Sequence, residues 1–494
     1  MKNSLSNTKK VMNGISSQTV VTIVLGAVEI LSFAIMSRLL TKEDFGYYAA
    51  ITAVVTVFGS FSETGIGSAI VQSKNLTKRF VDNAFTMSLI FGAVITFLLF
   101  CLSGVIADAV TDHSMTIPLK LMSVTLLLHC LTSVFISLLH RRLEFLRIGS
   151  INLFSLLITT IVAIVLAYRG YGYYAIITKA VLSSIITFLL SLFFCKTRFK
   201  LSLDRKTATS IFRFSGWLMA SVLFRNLAHQ VDKLLMPQLL SVEALGSYNR
   251  PKDFINQIST KLNGIFDSAL FPVLSSIQDE RERLATAFRK SLSLLNIFAM
   301  LLALAFAINS ELIIRVFFGK NWLSLASVTV ILSFALVFNI DGRLSDCYLR
   351  SLGMTKEQFY FRILETVLKI CGCLIGFQWG ILGMAVSVLI TNTLSKLLKI
   401  IYVASKIGIN GTEVIKLIVS SWRFSIPLAT ICGGAYFLLP KDFIGNVILL
   451  ALFVAIVIVE FILAPSLVGI QYKEFAYDTV ASQLKNIRKK YRGA

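Results

Sequence analysis

The sequence predicts an all-α, polytopic membrane protein, and three observations carry that prediction. Of its 494 residues 56% are hydrophobic and only 15% charged, where a soluble protein averages roughly 25% charged. Mean hydropathy is +0.77. Apolar runs of about 18 residues or more recur from end to end, the length a helix needs to cross a bilayer, in place of the short alternating strands of a barrel. No polar interval is long enough to bury a core of its own, so no separate soluble domain is expected.

Fourteen spans are predicted, at 15–37, 45–69, 83–106, 117–139, 149–168, 171–195, 211–236, 246–274, 289–308, 323–342, 360–379, 381–404, 421–439 and 444–468. The second and eighth are long enough to tilt or to project past the membrane. Orientation follows from the basic residues, because cytoplasmic loops retain positive charge during insertion. The set of loops that includes both termini holds 34 Lys and Arg; the opposite set holds Arg38, Lys42, Arg169, Arg315, Lys320 and Lys441. Both termini are therefore expected in the cytoplasm, which requires an even number of spans. The net charge of +22 is spread through these short loops, so it speaks for topology and not for nucleic acid.

An internal repeat divides the chain. Residues 35–48, IMSRLLTKEDFGYY, align without a gap to 235–248, LMPQLLSVEALGSY, sharing Met36/Met236, Leu39/Leu239, Leu40/Leu240, Glu43/Glu243, Gly46/Gly246 and Tyr48/Tyr248. A weaker echo pairs GYGYYA (170–175) with GILGMA (380–385). Two homologous six-helix lobes are expected, 1–200 and 201–410, followed by 411–494 with two further helices and a basic cytoplasmic tail. An even number of spans separates the lobes, so the repeat is parallel, with its axis along the membrane normal and the transported molecule between the lobes. The first, second, seventh and eighth spans then form the walls that move.

Charged residues inside the spans are the sharpest functional signal, since each costs roughly 2.5–3.5 kcal/mol at a helix centre. Outside the loops stand Lys120, Lys179, Arg225, Lys233, Arg250, Lys252, Lys261 and Lys369, with the acids Glu29, Glu63, Asp232, Asp253, Asp267, Glu365 and Glu460. At about 100° per residue Arg250, Gln257 and Lys261 share one flank of the eighth span, with Asp253 beside them. On the seventh span Arg225, His229 and Asp232 share a face. One reading makes Arg225, Arg250, Lys261 and His229 a binding surface for an anionic head group. The other makes Arg225–Asp232 and Lys261–Asp267 structural ion pairs, with Lys120, Arg250 and Lys252 reaching for the interface along their alkyl stems. Glu29 lies mid-span in the first helix with Gln18 on the same face. It, Asp232 and Asp253 are candidates to bind a coupling proton or sodium ion, or else to be satisfied between helices. Lys369 and Glu365, at i and i+4, read as an internal pair.

Other chemistries lack their residues. Four histidines form no metal constellation, no GxxxxGK[ST] loop occurs, and the cysteines read as buried apolar side chains. No cofactor or metal is expected, and a removable signal peptide is not expected from the polar N-terminus. A membrane-embedded glycosyltransferase or polymerase would need a sizeable outer loop or a carboxylate set at a wet surface, so an enzyme is not expected. The tail KNIRKKYR (485–492) reads as an anionic-lipid anchor or as a solvated end that fixes topology.

Several stretches also carry a resemblance. YNRPKDFINQISTKLNGIFDSALFPVLSSIQDE (248–280), SRLLTKEDFGYYAA with FSETGIGSAIVQ (61–72), LLHRRLEF (138–145) and FGKNW (318–322) resemble, in order, the bacterial polysaccharide exporters of the MOP superfamily, in their colanic-acid and O-antigen branch. The resemblance implies a MATE-like fold and a Wzx-type flippase of the bacterial cytoplasmic (inner) membrane. Its substrate would be an undecaprenyl-diphosphate-linked oligosaccharide moved by alternating access, coupled to H+ or Na+, for O-antigen, capsule or exopolysaccharide export. Membrane lipids and the polymerase and glycosyltransferases of the same pathway are the implied partners. Asn249, Asn256, Gln257 and Asn263 are the amides that would meet sugar. A lipid II flippase and a cation-coupled multidrug exporter of the same superfamily are the alternatives. The mixed charge of the interior departs from a uniformly cationic cavity and leaves the anion ligands and the coupling ion open.

Overall fold

The computed structural model describes residues 21–22, 24–62, 66–72, 77–197, 199–202, 205–423, 425–440 and 442–467, with side chains throughout except at 62, 68–69, 72, 205–221, 261–269, 272 and 460–467. Among the described residues there are helices and no strands. After α1 (24–39) come α2 (Lys42–Ser62), α3 (Ile66–Gln72), α4 (Lys78–Val110), α5 (Thr116–Arg141), α6 (Phe145–Tyr168), α7 (Tyr173–Cys195), α8 (Arg205–Leu239) and α9 (Val242–Ser276). The chain continues through α10 (Arg281–Ile308), α11 (Ser310–Phe317), α12 (Ala326–Ser351), α13 (Thr355–Gly376), α14 (Gly380–Lys406), α15 (Gly411–Arg423), α16 (Ile426–Leu438) and α17 (Phe443–Leu467).

Helices stand where each apolar run was predicted. Among the described residues eight helical stretches, one of them taking in both α13 and α14, are long and apolar enough to cross a membrane, or nine with α15 and α16 taken as one span bent by 47°. Pro427 explains that break, since it opens α16 and cannot continue a preceding helix. The stretch predicted as one span over 45–69 holds two helices, α2 and α3. Gln18 and the tail at 485–492 lie outside the described residues.

Two compact units interleave along the sequence. The first takes residues up to Phe254 with Arg315–Val328 and Lys356–Thr391; the second takes Ile255–Ile314, Thr329–Thr355 and the chain from Asn392. Within the first unit α4 packs on α5, α5 and α6 on α7, and α2 on α8. Ile66, Ile70, Met87, Phe135 and Leu138 meet there in an apolar core. In the second unit Leu301 and Leu304 pack on Leu428, Cys432, Leu449 and Phe453. Large apolar side chains such as Phe97, Val105 and Phe437 stay exposed, which is stable only where the surrounding solvent is lipid. Cys101 and Cys371 are exposed in the same way, against the expectation of buried thiols, while Cys130, Cys195, Cys373 and Cys432 are buried.

Local chemistry sets the corners. Thr41 and Asp44 form a capping box at the start of α2: Asp44 Oδ2 accepts from Thr41 N at 2.9 Å and Thr41 Oγ1 accepts from Asp44 N at 3.2 Å. Gly170 ahead of α7 and Gly380 at the start of α14, aligned in the weaker repeat, turn with φ of 83° and 66°, positive values that L side chains rarely adopt. The adjacent arginines of LLHRRLEF cap other helices. Arg141 donates to Ile70 O at 2.7 Å and Arg142 to Cys195 O at 3.0 Å, which satisfies carbonyls at the C-terminal ends of α3 and α7.

Candidate functional site: a charged interior in the first unit

Helices α8, α9 and α13 bring ionised groups together inside the first unit. Asp232, 1% exposed, pairs with Lys252 and accepts a hydrogen bond from Tyr248 Oη at 2.8 Å. One residue along α8, Lys233 Nζ stands 3.3 Å from Asp253 Oδ1, and Asn249 Nδ2 donates to Asp253 Oδ2 at 2.7 Å. On α13 Glu365 holds Arg362 at 3.2 Å and Lys369 at 3.6 Å. Lys369 also donates to Ala228 O at 2.7 Å and lies within electrostatic range of Asp232. Buried charges survive in apolar surroundings only when paired and hydrogen-bonded; here two pairs join α8 to α9 and the α13 pairs reach α8 through the Lys369–Ala228 hydrogen bond.

A second group of contacts surrounds Arg250. Its guanidinium lies 3.3 Å from the Phe33 ring centroid and 4.0 Å from that of Phe45. Nε donates to Ser37 Oγ at 3.0 Å, and Nη2 to Ser37 Oγ and Phe33 O, both at 2.8 Å. The FGKNW stretch closes the same box: Phe318 packs edge-on to Phe33 with centroids 5.2 Å apart, and Trp322 Nε1 donates to Ser37 O at 3.0 Å. Lys179 of α7 donates to Ser32 Oγ at 2.6 Å and lies within electrostatic range of Arg250 and Glu29.

The predicted site residues thus fall into separate places. Asp232, Asp253 and Asn249 belong to the paired cluster, and Glu29 and Arg250 to the group around α1. Arg250 is held by Ser37 and Phe33 through Nε and Nη2. Arg225 is half-buried and His229 exposed on α8, each with interactions of its own. Asn256 and Gln257 are half-buried on the second unit's part of α9. Lys261 and Asn263 lie outside the residues whose side chains are described.

Sequence reasoning missed the cluster's other members. Lys252 read as a side chain reaching for the interface, yet it is the partner of Asp232. Arg362 counts with a loop and is 5% exposed on α13; in the second unit, outside this cluster, Lys396 and Lys399 count with a loop as well and are 4% and 2% exposed. The i, i+4 spacing of Glu365 and Lys369 was the available signal, but not their neighbour Asp232.

An apolar helical bundle whose interior carries ion-paired side chains is the build of a membrane transporter, because lipid offers such groups no partner. The chain belongs to the family described as "Polysaccharide biosynthesis protein", whose model matches residues 35–327. It is 23% identical over 431 residues to the lipopolysaccharide biosynthesis protein WzxC of Escherichia coli (strain K12), covering 86% of this chain and 87% of that protein. Among solved structures it superposes on the lipid II flippase MurJ in an inward closed conformation with a TM-score of 0.67 at 16% identity, over 90% of this chain and 99% of that one. It superposes on an inward-facing multidrug resistance MATE family transporter of the MOP superfamily with a TM-score of 0.66 at 14% identity, over 82% of this chain and 99% of that one. The chain has the MOP transporter fold.

Proposed function

We propose that this protein flips undecaprenyl-diphosphate-linked oligosaccharide repeat units across the bacterial cytoplasmic membrane by alternating access. It would supply O-antigen, capsule or exopolysaccharide synthesis, with both termini in the cytoplasm, fourteen crossings and lobes at 1–200 and 201–410. The observation that carries this reading is the cation excess of the interior cluster. Among the described side chains of the two groups, Lys179, Lys233, Arg250, Lys252, Arg362 and Lys369 stand with Glu29, Asp232, Asp253 and Glu365, more cations than carboxylates, as an anionic ligand would require.

Lys233 and Lys252 are the cations placed to exchange partners. Their side chains are 12% and 15% exposed, and Asp253, the carboxylate facing Lys233, is 35% exposed. A diphosphate entering here would take over ammonium groups that the carboxylates hold in its absence, so the cations are neutralised in both states. Asn249, Asn256, Gln257 and Asn263 supply amides for sugar hydroxyls, while Arg225, Arg250, Lys261 and His229 remain candidate head-group ligands. Lipid II flipping and drug export remain the readings this one competes with.

Deletion of the gene followed by analysis of lipid-linked sugars tests the reading. Accumulation of a lipid-linked oligosaccharide on the cytoplasmic leaflet, with loss of surface polymer, is the expected result. Undiminished polymer, or accumulation of lipid II instead, would overturn it.

A further inference from the structure

Asp341 of α12 and Asn296 of α10 lie inside the second unit, 1% and 0% exposed. Asn296 Nδ2 donates to Asp341 Oδ1 at 2.7 Å and to Leu292 O at 3.0 Å. A backbone carbonyl only accepts, so Leu292 fixes which end of the amide is nitrogen. Two acceptors are then left over: Asp341 Oδ2 and Asn296 Oδ1 are buried and have no hydrogen-bond partner. An ionised Asp341 would have one amide N–H to stabilise its whole charge, with an oxygen unmet on each partner, an arrangement that costs more than it returns. A single proton removes both defects. Bound to Asp341 Oδ2, it turns that atom into a donor for Asn296 Oδ1 and closes an acid–amide pair with two hydrogen bonds.

The charged groups on the elements around the pair have other partners. Asp346, on α12, is held by Lys399 of α14 at 2.8 Å. Arg343, Arg350 and Lys396 have interactions of their own, the Lys396 stem resting where a Cβ on Gly342 would stand. Arg289 of α10 pairs with Glu413 of α15 at 2.6 Å, and Lys290, Lys416 and Arg423 are exposed. Among the described residues no ion pair reaches Asp341. Asp232 and Asp253 each pair with an ammonium group, and among the described residues Asp341 does not. A sodium ion would need a shell of oxygens, and Asp341 Oδ1 is already spent on an N–H.

We propose that Asp341 and Asn296 form a proton-binding site, the proton residing on Asp341 Oδ2 and shared with Asn296, and that this proton is exchanged with water during the transport cycle. The exchange rests on the transporter reading above; the site does not.

Infrared difference spectroscopy of the full chain in lipid tests the site directly. Wild type minus D341N should show the carbonyl band of a protonated carboxylic acid, shifted in N296A and unaffected by replacing potassium with sodium. D341N should fold, because two amides pair in the same geometry. No such band, or its loss in sodium, would overturn the proton site. Transfer of lipid-linked oligosaccharide in proteoliposomes tests the exchange: wild type should respond to an imposed pH gradient and D341N should not. An equal response would overturn the exchange alone, and a wild type that transfers nothing would overturn the transport reading with it, the band still deciding the site.

Discussion

Gly46 and Gly246 each lie against the other's helix at matching points of the repeat. A Cβ on Gly46 would overlap the carbonyl of Val242, and one on Gly246 would overlap the carbonyl of Lys42 and come within 2.8 Å of Gly46 N. Lys42 and Val242 also match in the alignment, so the contact is reciprocal, as a two-fold relation requires. On the expected topology these are the outer ends of α2 and α9, and only glycine lets the two backbones meet there.

Alanine at either glycine should therefore oppose closure of this end. Overpacking of this kind costs roughly 1–3 kcal/mol, a shift of roughly 5- to 150-fold against the closed form. With the seven native cysteines replaced, a cysteine at Ala50, which is fully buried, should label faster with an impermeant thiol reagent in G46A and G246A. Equal labelling would show that the contact is not a closure.

Arg250 joins α9 to α1 through stacking and three donated hydrogen bonds. Lysine cannot reproduce a planar cation between two rings that also donates sideways. Both R250A and R250K should lower stability in detergent, by about 2–3 kcal/mol for the alanine, and thermal unfolding followed by tryptophan fluorescence measures it. A lysine variant as stable as wild type would show that charge alone is what the position needs.

The Asp232–Lys252 pair makes a non-additive prediction. Removing one member of a buried pair typically costs about 3–5 kcal/mol, whereas replacing both with apolar groups is close to neutral. D232L and K252M should each unfold at lower temperature, and the double variant should recover most of the loss. Additive losses in a double-mutant cycle would mean that the two charges do not depend on each other.

Asp112, between α4 and α5, gives a pH dependence. Burial pushes its carboxyl up, but hydrogen bonds from Ser114 and Tyr47 more than offset this and hold it below the ordinary carboxylate range. The ionised form is thus favoured in the folded chain, and its contribution is present above the unfolded pKa and lost as pH falls through the folded one. Protection of the Ser114 amide from hydrogen exchange, measured against its intrinsic rate at each pH, should fall on acidification in wild type. In D112N the protection should be low already at neutral pH and change little with acid.

Much of the fold was legible because lipid imposes it: apolar length marked the helices, and the repeat marked the turn where Gly46 and Gly246 meet. Hydropathy locates where a helix faces lipid, not where it ends. α12 runs on to Ser351, so Asp341 fell at the end of the predicted span, while Lys396 and Lys399, inside the span predicted at 381–404, counted with the loop charges; all three are buried. Pairing was harder to read. Lys252 and Asp232 are on different helices, and no periodicity on one helix reveals the side chain it meets on another. The arginines of LLHRRLEF were visible as charge, but their task of capping α3 and α7 depends on tertiary placement.

The proposed function places an anionic lipid head group on Lys233 and Lys252, and transfer of a fluorescent undecaprenyl-diphosphate-linked oligosaccharide between the leaflets of proteoliposomes tests that most directly. Wild-type protein should move the lipid, and K233M/K252M, shown by its melting curve to be folded, should move it at least tenfold more slowly, the equivalent of about 1.4 kcal/mol. Transfer by the double variant at the wild-type rate would contradict the account.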